Sequence, residues 1–249
     1  MKVLLHQLRS EQLIFWRNRE SAGFIFVFPL MLFLLLGALY DDERTDEGYA
    51  GIEVLLAGML GYGAANTGFA GMAITLVIRR EYGILKRIRS TPLPASSYFV
   101  AALASTLLVF ALQTLVLLGL GRLLYDTALP ERPLSLAFLV VFGAAAFAGM
   151  GIGAASLIRS AEGSSAVVNF ILLPMAFLSG SFGGRDYPPV LEAIANVLPL
   201  KYFIDLLRDV YLDHESAWSN PGALAVVAAW GLGGALLGAR RFGWEPRER

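Results

Sequence analysis

The chain has 249 residues, of which 56% are hydrophobic and only 16% are charged. An apolar fraction this high is not typical of a soluble domain, and it predicts a single membrane domain over residues 1–249. Because the sequence contains no cysteine, disulfides and cysteine-based metal sites are excluded. The formal net charge is zero, but the Lys and Arg residues are distributed unevenly along the chain.

Residues 1–20 have the pattern of an amphipathic helix. Apolar residues fall near one face and basic residues take the other: Leu4, Leu5, Leu8, Phe15 and Trp16 against Lys2, Arg9, Arg17 and Arg19. Such a helix lies in the membrane interface with its tryptophan at the level of the lipid headgroups. The alternative is that residues 1–20 simply extend the first membrane span.

Six charge-free runs follow, and each is long enough to cross a bilayer. They are residues 22–40, 54–78, 91–121, 133–158, 163–184 and 216–239. At about 1.5 Å per residue, even the shortest run reaches roughly 29 Å, close to the thickness of the hydrocarbon core. Backbone amides in lipid must be hydrogen-bonded internally, so the runs predict six transmembrane helices with both termini on one side.

The Lys and Arg residues decide which side that is. With both termini in the cytoplasm, the inner segments hold 14 of them and the outer segments hold 6. The positive-inside rule therefore predicts cytoplasmic termini and a multi-pass protein of the cell membrane. An acidic cluster between the first two spans is placed outside: Asp41, Asp42, Glu43, Asp46 and Glu47.

The longest polar interruption on the cytoplasmic side is residues 79–94, RREYGILKRIRSTPLP. It carries five basic residues and one acidic residue, Glu81. Ile84, Leu85 and Ile88 give it an apolar edge that suits a protein groove, and Pro92 and Pro94 end it before the third span. The alternative is a polybasic patch that contacts anionic lipid headgroups.

Residues 181–215 are too apolar for an open loop and too short for two further spans. Helical spacing of apolar residues predicts helices over residues 190–198 and 200–212, separated by Pro199. A re-entrant or interfacial helical hairpin on the outer face fits this pattern.

Few polar residues lie within the spans, and we take them as candidates for a substrate path: Asn66, Thr67, Gln113, Asn169 and Ser179. Hydrogen bonding between helices explains them equally well. Carboxylates and lysines are missing from the middle of the spans, which argues against ion-driven transport. The energy source must therefore lie elsewhere, and the sequence lacks the phosphate-binding loop with which the chain itself would hydrolyse ATP. Both histidines fall outside the spans, which disfavours a serine–histidine intramembrane protease.

Three stretches in register resemble the type-2 permeases of ATP-binding-cassette (ABC) exporters, a family of drug, lipid and glycan export subunits. Residues 81–93 match the pattern E-x-G-T-L-x-x-L-x-x-T-P-L, with Ile84 in place of the usual threonine. Residues 174–180 match P-x-x-F-L-S-G, and residues 198–208 match L-P-L-x-Y-x-x-D-x-L-R.

The resemblance implies an all-α integral membrane protein with six transmembrane helices. It implies an N-terminal interfacial helix at residues 1–20, a cytoplasmic coupling helix within residues 79–94, and an outer hairpin at residues 181–215. Such permeases pair as homo- or heterodimers and recruit two copies of a separate ATPase subunit. ATP and Mg are then bound by that partner and not by this chain, which is expected to be neither an enzyme nor a nucleic-acid-binding protein.

Two groups of site residues follow from the resemblance. The residues expected to couple the chain to the ATPase are Arg79, Arg80, Glu81, Tyr82, Gly83, Ile84, Leu85, Lys86, Arg87 and Ile88. The residues expected to gate the outer end of the path are Phe177, Leu178, Pro199 and Tyr202.

The expected function is therefore that of the membrane subunit of an ATP-driven exporter. Its substrate would be an amphipathic drug-like molecule, a lipid or a glycolipid that moves outward. A non-transporting membrane scaffold or sensor that uses the same ATPase contact is the alternative. An intramembrane enzyme is disfavoured, because catalytic and metal-ligating residue combinations are missing from the sequence.

Overall fold

The computed structural model of the protein describes residues 2–40, 44–45, 48–184 and 187–246. Within these ranges it is all-helical, and its only β pairing is an isolated bridge between Arg44 and Ala50. Several charged residues whose side of the membrane was predicted lie outside the described residues: Asp41, Asp42, Glu43, Asp46, Glu47, Arg185, Arg247 and Arg249.

The α-helices, in chain order, are α1 (Lys2–Arg17), α2 (Arg19–Ala22), α3 (Phe28–Tyr40), α4 (Gly51–Ala64), α5 (Met72–Glu81), α6 (Ile84–Arg89), α7 (Ala95–Tyr125), α8 (Pro133–Leu157), α9 (Ala161–Leu178), α10 (Pro189–Ala195), α11 (Pro199–Tyr211) and α12 (Pro221–Arg241).

Five helical segments in the described ranges are long and apolar enough to cross a membrane: Gly23–Tyr40, α7, α8, α9 and α12. The predicted second span is divided between α4 and α5 by a π-helical segment, Ala65–Gly71, so neither α-helix alone has the length of a span. Helical turns nevertheless continue without a break from Gly51 to Glu81.

A second π-helical segment, Gly23–Val27, lies between α2 and α3 and contacts the first one. Backbone hydrogen bonds in a π-helix run from residue i to i+5, which widens the turn and changes the partners of nearby carbonyls. The two widened turns therefore lie side by side in the first two apolar segments of the chain.

The largest interface in the described bundle joins α8 to α12, and glycines allow it. A Cβ atom added to Gly149 would lie 2.5 Å from the carbonyl oxygen of Gly231, and one added to Gly153 would lie 2.7 Å from that of Gly234. Backbones can approach this closely only where side chains are absent, and such contacts stabilise helix pairs in lipid. These small residues at four-residue spacing thus serve packing within one chain.

Helices α10 and α11 lie in the segment for which a helical hairpin was predicted, and α11 packs against α4, α8 and α12. The ring of Phe203 lies over Gly143 of α8, and the side chain of Ile204 lies over Gly61 of α4. We call this the hairpin end, and we call the opposite end, which carries α1, α6 and residues 242–246, the basic end.

The break between the two hairpin helices differs from the prediction. Helix α10 ends at Ala195, so the predicted helix over residues 190–198 is three residues too long. Leu198 is extended (φ −79°, ψ 129°), as the residue before a proline prefers, and Pro199 is the first residue of α11. Pro199 therefore starts a helix, because the first turn needs no amide donor at that position.

Candidate functional site at the basic turn

The basic turn, residues 79–94, joins α5 to α7 and contains the short helix α6. Gly83 separates α5 from α6 and has a φ of +68°, a left-handed conformation that favours glycine. Space is not the reason for glycine here, since a Cβ atom at Gly83 would meet no heavy atom within 4 Å. At the other end, the hydroxyl of Thr91 donates to the carbonyl of Ile88 at 2.6 Å, and Pro92 and Pro94 follow. The local sequence thus encodes a short helix with a sharp bend on each side.

Helix α6 presents only part of its predicted apolar edge. Leu85 is completely buried and belongs to the hydrophobic core, and Ile88 packs against that core. Ile84 is 41% exposed and the neighbouring Tyr82 is 71% exposed. The surface open to a partner therefore combines these two side chains with three exposed cations, Lys86, Arg87 and Arg89.

Arg79, one of the residues expected to couple the chain to the ATPase, points into the protein. Its guanidinium donates to both carboxylate oxygens of Glu11 in α1, at 2.9 and 2.7 Å. It also donates to the hydroxyl of Tyr98 in α7 at 2.8 Å. The Arg79 and Glu11 side chains are 9% and 7% exposed. Arg79 thus joins the basic turn to two other helices.

Arg80 is buried as well, with no exposed side-chain surface, and it joins the turn to the end of α8. Its guanidinium donates to the carbonyl oxygens of Ala155 at 2.9 Å and Ile158 at 2.7 Å. Ala155 lies in the last turn of α8 and Ile158 directly follows it, so these carbonyls lack helical donors and a cation beside them is favourable. The Nε of Arg80 donates to the carboxylate of Glu81 at 3.0 Å, so Glu81 balances this buried charge.

The residues after α12 also return to the basic turn. The ring of Trp244 lies against Phe99 and Tyr98 at the start of α7, with centroid distances of 5.7 and 6.2 Å. Lys86 and Glu245 form an exposed ion pair at 3.5 Å. One face of α6 is thereby near residues 244 and 245, whereas Tyr82 and Ile84 are exposed in the part of the chain that the structure describes.

Three of the predicted path residues form one buried network that joins the two π-helical segments, Gly23–Val27 and Ala65–Gly71, to α7. The amide of Asn66 donates to the carbonyl of Ile25 at 3.2 Å, and the amide of Gln113 donates to the carbonyls of Ile25 and Phe26 at 3.2 Å. The hydroxyl of Thr67 donates to the side-chain oxygen of Gln113 at 3.3 Å. Asn66 and Gln113 thus hold three segments of the bundle together.

The other two predicted path residues lie apart from this network. Asn169 is half-buried in α9 and donates to the carbonyl of Ser165, one turn earlier, at 2.9 Å. Ser179 is fully buried just after α9, at the hairpin end. The structure therefore does not bring the five predicted path residues together.

A cavity of about 510 Å³ does open beside them, between α1, the two π-helical segments, α5, α7 and α9. Thr67 and Asn169 line it, whereas Asn66, Gln113 and Ser179 do not. Glu11, Arg79 and Tyr98 line its basic end.

The predicted gate residues all lie at the hairpin end, but they differ in exposure. Pro199 is buried, and the hydroxyl of Tyr202 donates to the carbonyl of Asn196 between the two hairpin helices at 2.8 Å. Phe177 is 60% exposed and Leu178 is half-buried. The hydroxyl of Tyr187 donates to the carbonyl of Phe177, which ties the hairpin to the end of α9.

Two residues of the site were missed by the reasoning from sequence, Glu11 and Tyr98. Glu11 is the only carboxylate among residues 1–19, in a helix that otherwise carries basic and apolar residues. An isolated acid in such a helix is a signal for a buried ion pair, although it does not identify the partner.

Comparison with known proteins gives consistent results. The model of the family described as ABC-2 type transporter matches residues 4–212. The chain is also 23% identical over 161 residues to proteins named as probable multidrug ABC transporter permease YbhR, from Escherichia coli strain K12 and from Escherichia coli O157:H7. These alignments cover 63% of this chain but only 44% of each relative. Because the family model covers the basic turn, the bundle up to α11 and most of α1, the chain belongs to the ABC-2 type transporter family of membrane permeases.

Proposed function

We propose that the chain is the membrane subunit of an ATP-driven exporter and moves an amphipathic drug-like, lipid or glycolipid molecule outward. Two copies of an ABC ATPase subunit supply ATP hydrolysis and hold the ATP and Mg. A second copy of this chain, or a paralogue, completes the transporter. Membership of the ABC-2 family supports the pairing with an ATPase, and the similarity to permeases named as multidrug transporters supports the substrate class.

Six spans and cytoplasmic termini are part of this proposal. Residues 51–81 form one continuous helical path of 31 residues, and we assign it as the second span beside the five apolar helices. The basic end then faces the cytoplasm, in agreement with the excess of Lys and Arg there. Helix α1 lies in the inner interface, where exposed Val3, Leu13 and Trp16 contact lipid. The hairpin end faces outward, with α10 and α11 at the outer boundary of the membrane.

The observation that carries the proposal is the contrast between the two sides of the basic turn. On the solvent-facing side of the turn, Tyr82 and Ile84 are exposed beside the cations of α6. On the side that packs against the bundle, Arg79 and Arg80 are buried and hydrogen-bonded to residues of α1 and α7 and to the end of α8. Exposed aromatic and apolar side chains beside cations are typical of protein interfaces.

This arrangement supplies a mechanism for coupling. An ATPase bound to Tyr82 and Ile84 moves the turn when ATP brings the two partner subunits together. The two buried arginines then transmit the displacement to three helices, because breaking a buried ion pair or leaving a buried guanidinium unbonded is costly. The ATPase thereby changes the relative populations of inward-facing and outward-facing states.

The test uses two surface variants, Ile84→Asp and Arg87→Glu, with Arg240→Glu as a matched charge control at the same end. Each is produced with the ATPase that co-purifies with the unaltered chain. We expect the first two variants to insert normally but to lose most of the bound ATPase and the ATP-driven efflux, and we expect the control to retain both.

Normal efflux in Ile84→Asp and Arg87→Glu would overturn the coupling role of the turn. If the ATPase binds but substrates never stimulate ATP hydrolysis in reconstituted vesicles, the transport role is wrong and the scaffold alternative replaces it.

A further inference from the structure

We infer that Trp244 and Phe242 are positioning residues for the basic turn, which they attach to α12 through the side chains at the start of α7. This inference rests on the proposed coupling role of the turn and adds a segment, residues 242–246, on which that role depends. The residues expected from the sequence to couple the chain to the ATPase end at Ile88 and include neither ring.

Helix α12 ends at Arg241, and the chain then turns back toward α7. Phe242 is extended (φ −71°, ψ 113°), and its N–H still donates to the carbonyl of Gly238 at 2.8 Å. The rings of Phe242 and Trp244 lie 5.9 and 5.7 Å from the ring of Phe99, and they lie 6.1 Å from each other. All three pairs are edge to face, with interplanar angles of 78°, 76° and 85°, which is a favoured geometry for aromatic pairs. We call Phe99, Phe242 and Trp244 the ring cluster.

Tyr98 connects the ring cluster to the basic turn. It is completely buried, and its ring lies 6.2 Å from that of Trp244. Its hydroxyl accepts the hydrogen bond from Arg79 at 2.8 Å, and the guanidinium carbon of Arg79 lies 5.8 Å from the centre of its ring. A buried guanidinium that loses an acceptor is costly, so Arg79 follows Tyr98 when the start of α7 moves.

The basic turn is thereby attached to two helices that are themselves joined. Arg80 bonds to the carbonyls at the end of α8, and the ring cluster attaches the turn to the end of α12. Helices α8 and α12 share the largest interface of the described bundle, in which Gly149 and Gly153 approach the α12 backbone. A displacement of the turn is therefore transmitted to this helix pair as a unit. With only the attachment through Arg80, the turn could pivot at the end of α8.

The rings carry this attachment, and the nearby ion pair does not. Lys86 and Glu245 also connect the turn to the C-terminal segment, but both side chains are exposed, and exposed ion pairs contribute little.

Anchoring in the membrane interface is the other common role of a tryptophan at this level. An anchor presents its ring to lipid, whereas Trp244 is half-buried and lies against Phe99 and Tyr98. The ring contacts therefore favour the positioning role.

The experiment uses the chain with its co-purified ATPase in reconstituted vesicles and needs no transport substrate. Trp244→Ala removes the ring, and Trp244→Phe preserves an aromatic ring. Trp230→Ala removes an exposed ring from the middle of α12 and is the matched control. Three quantities are measured: the amount of bound ATPase, the amide hydrogen exchange of residues 79–90, and the change in exchange of α12 when the non-hydrolysable ATP analogue AMP-PNP is added.

Without nucleotide, Trp244→Ala should raise the exchange of residues 79–90 about tenfold, because two ring contacts are lost. Trp244→Phe should change it less than about twofold, since edge-to-face contacts remain possible, and Trp230→Ala should leave it unchanged. All three variants should retain the ATPase, because Tyr82 and Ile84 are intact. AMP-PNP should change the exchange of α12 in every protein except Trp244→Ala. Exchange in α11 should stay the same throughout, which distinguishes positioning from a general loss of stability.

Unchanged exchange of residues 79–90 in Trp244→Ala would overturn the inference, as would loss of the ATPase from that variant, which would place Trp244 on the docking surface. If Trp244→Ala does not fold, Trp244→Leu keeps an apolar side chain without ring edges, and exchange equal to that of the unaltered protein would overturn the inference there. If AMP-PNP changes no exchange even in the unaltered protein with bound ATPase, the proposed coupling is refuted, whereas the comparison without nucleotide still decides the role of Trp244.

Discussion

Glu11 and Arg79, 68 positions apart in the sequence, form a two-bonded ion pair in which both side chains are at least nine-tenths buried. The pair fixes the N-terminal helix α1 to the turn that we propose binds the ATPase. It also lines the cavity, so one interaction lies between the cavity and the proposed partner surface.

Glu11→Gln should lower the free energy of unfolding by about 3–5 kcal/mol, because it leaves the buried guanidinium of Arg79 without its counter-charge. The measurement is thermal or denaturant unfolding of the purified protein in detergent. Replacing both partners, Glu11→Leu with Arg79→Met, should recover much of the loss. Arg9→Gln, on the exposed side of the same helix, is the control. A Glu11→Gln protein as stable as Arg9→Gln would show that the pair has no structural role.

Arg80→Met should loosen the end of α8, because the carbonyls of Ala155 and Ile158 lose their charged donor. Hydrogen bonds to charged groups contribute about 1.5–3 kcal/mol each. Amide hydrogen exchange should therefore become faster across residues 155–165. Arg89→Met removes an exposed cation from the same turn and should leave exchange unchanged. Equal protection in both variants would mean that Arg80 does not join the turn to α8.

Gly83→Pro should abolish ATP-driven efflux while the protein still inserts, because proline fixes φ near −65° and the bend requires +68°. Gly83→Asn should retain most of the efflux, since asparagine adopts left-handed conformations at lower cost. Glu81→Arg should also uncouple transport, because it places a second cation beside buried Arg80. Efflux and the amount of inserted protein are measured in the same membranes. Full efflux in Gly83→Pro would exclude any need for this bend.

Gly143→Ala should detach or displace α11, because the added Cβ atom would lie 2.3 Å from the ring of Phe203. Overpacking of this kind costs about 1–3 kcal/mol. Gly119→Ala on α7 is the matched control, because its Cβ atom would meet nothing within 4 Å. That variant should be unchanged or slightly more stable, by about 0.5–1 kcal/mol, since alanine favours helix. The comparison is made by thermal unfolding, and equal melting temperatures would argue against the tight seating of α11.

Much of the fold could be predicted because it depends on local properties. Runs of apolar residues indicate helices in lipid whatever surrounds them, and α8 begins at Pro133 as the run does. The prolines at positions 92 and 94 predicted the end of the short basic helix. The four-residue spacing of Gly149 and Gly153 is typical of close helix packing in lipid, although it does not identify α12 as the partner.

The details of the site could not be predicted, because they depend on pairs of residues far apart in sequence. A basic segment at the end of a span indicates a cytoplasmic turn, but it does not show that two of its cations, Arg79 and Arg80, are buried. Nor do polar residues within spans show their partners. Asn66 and Gln113 were candidates for a path, yet both donate to the carbonyl of Ile25, which lacks a helical donor four residues later because Pro29 has no N–H.

The two adjacent π-helical turns have a mechanical consequence. Converting either one to ordinary α-helix shifts the sequence register by about one residue, and one residue corresponds to a rotation of about 100° about the helix axis. In the helical path of residues 51–81 that rotation would act on everything from Met72 to the basic turn. Because the amide of Asn66 donates to the carbonyl of Ile25 across the two turns, such a rotation would have to break this hydrogen bond. The two π-helical turns therefore couple any rotation of the basic end, relative to the hairpin end, to the loss of this hydrogen bond.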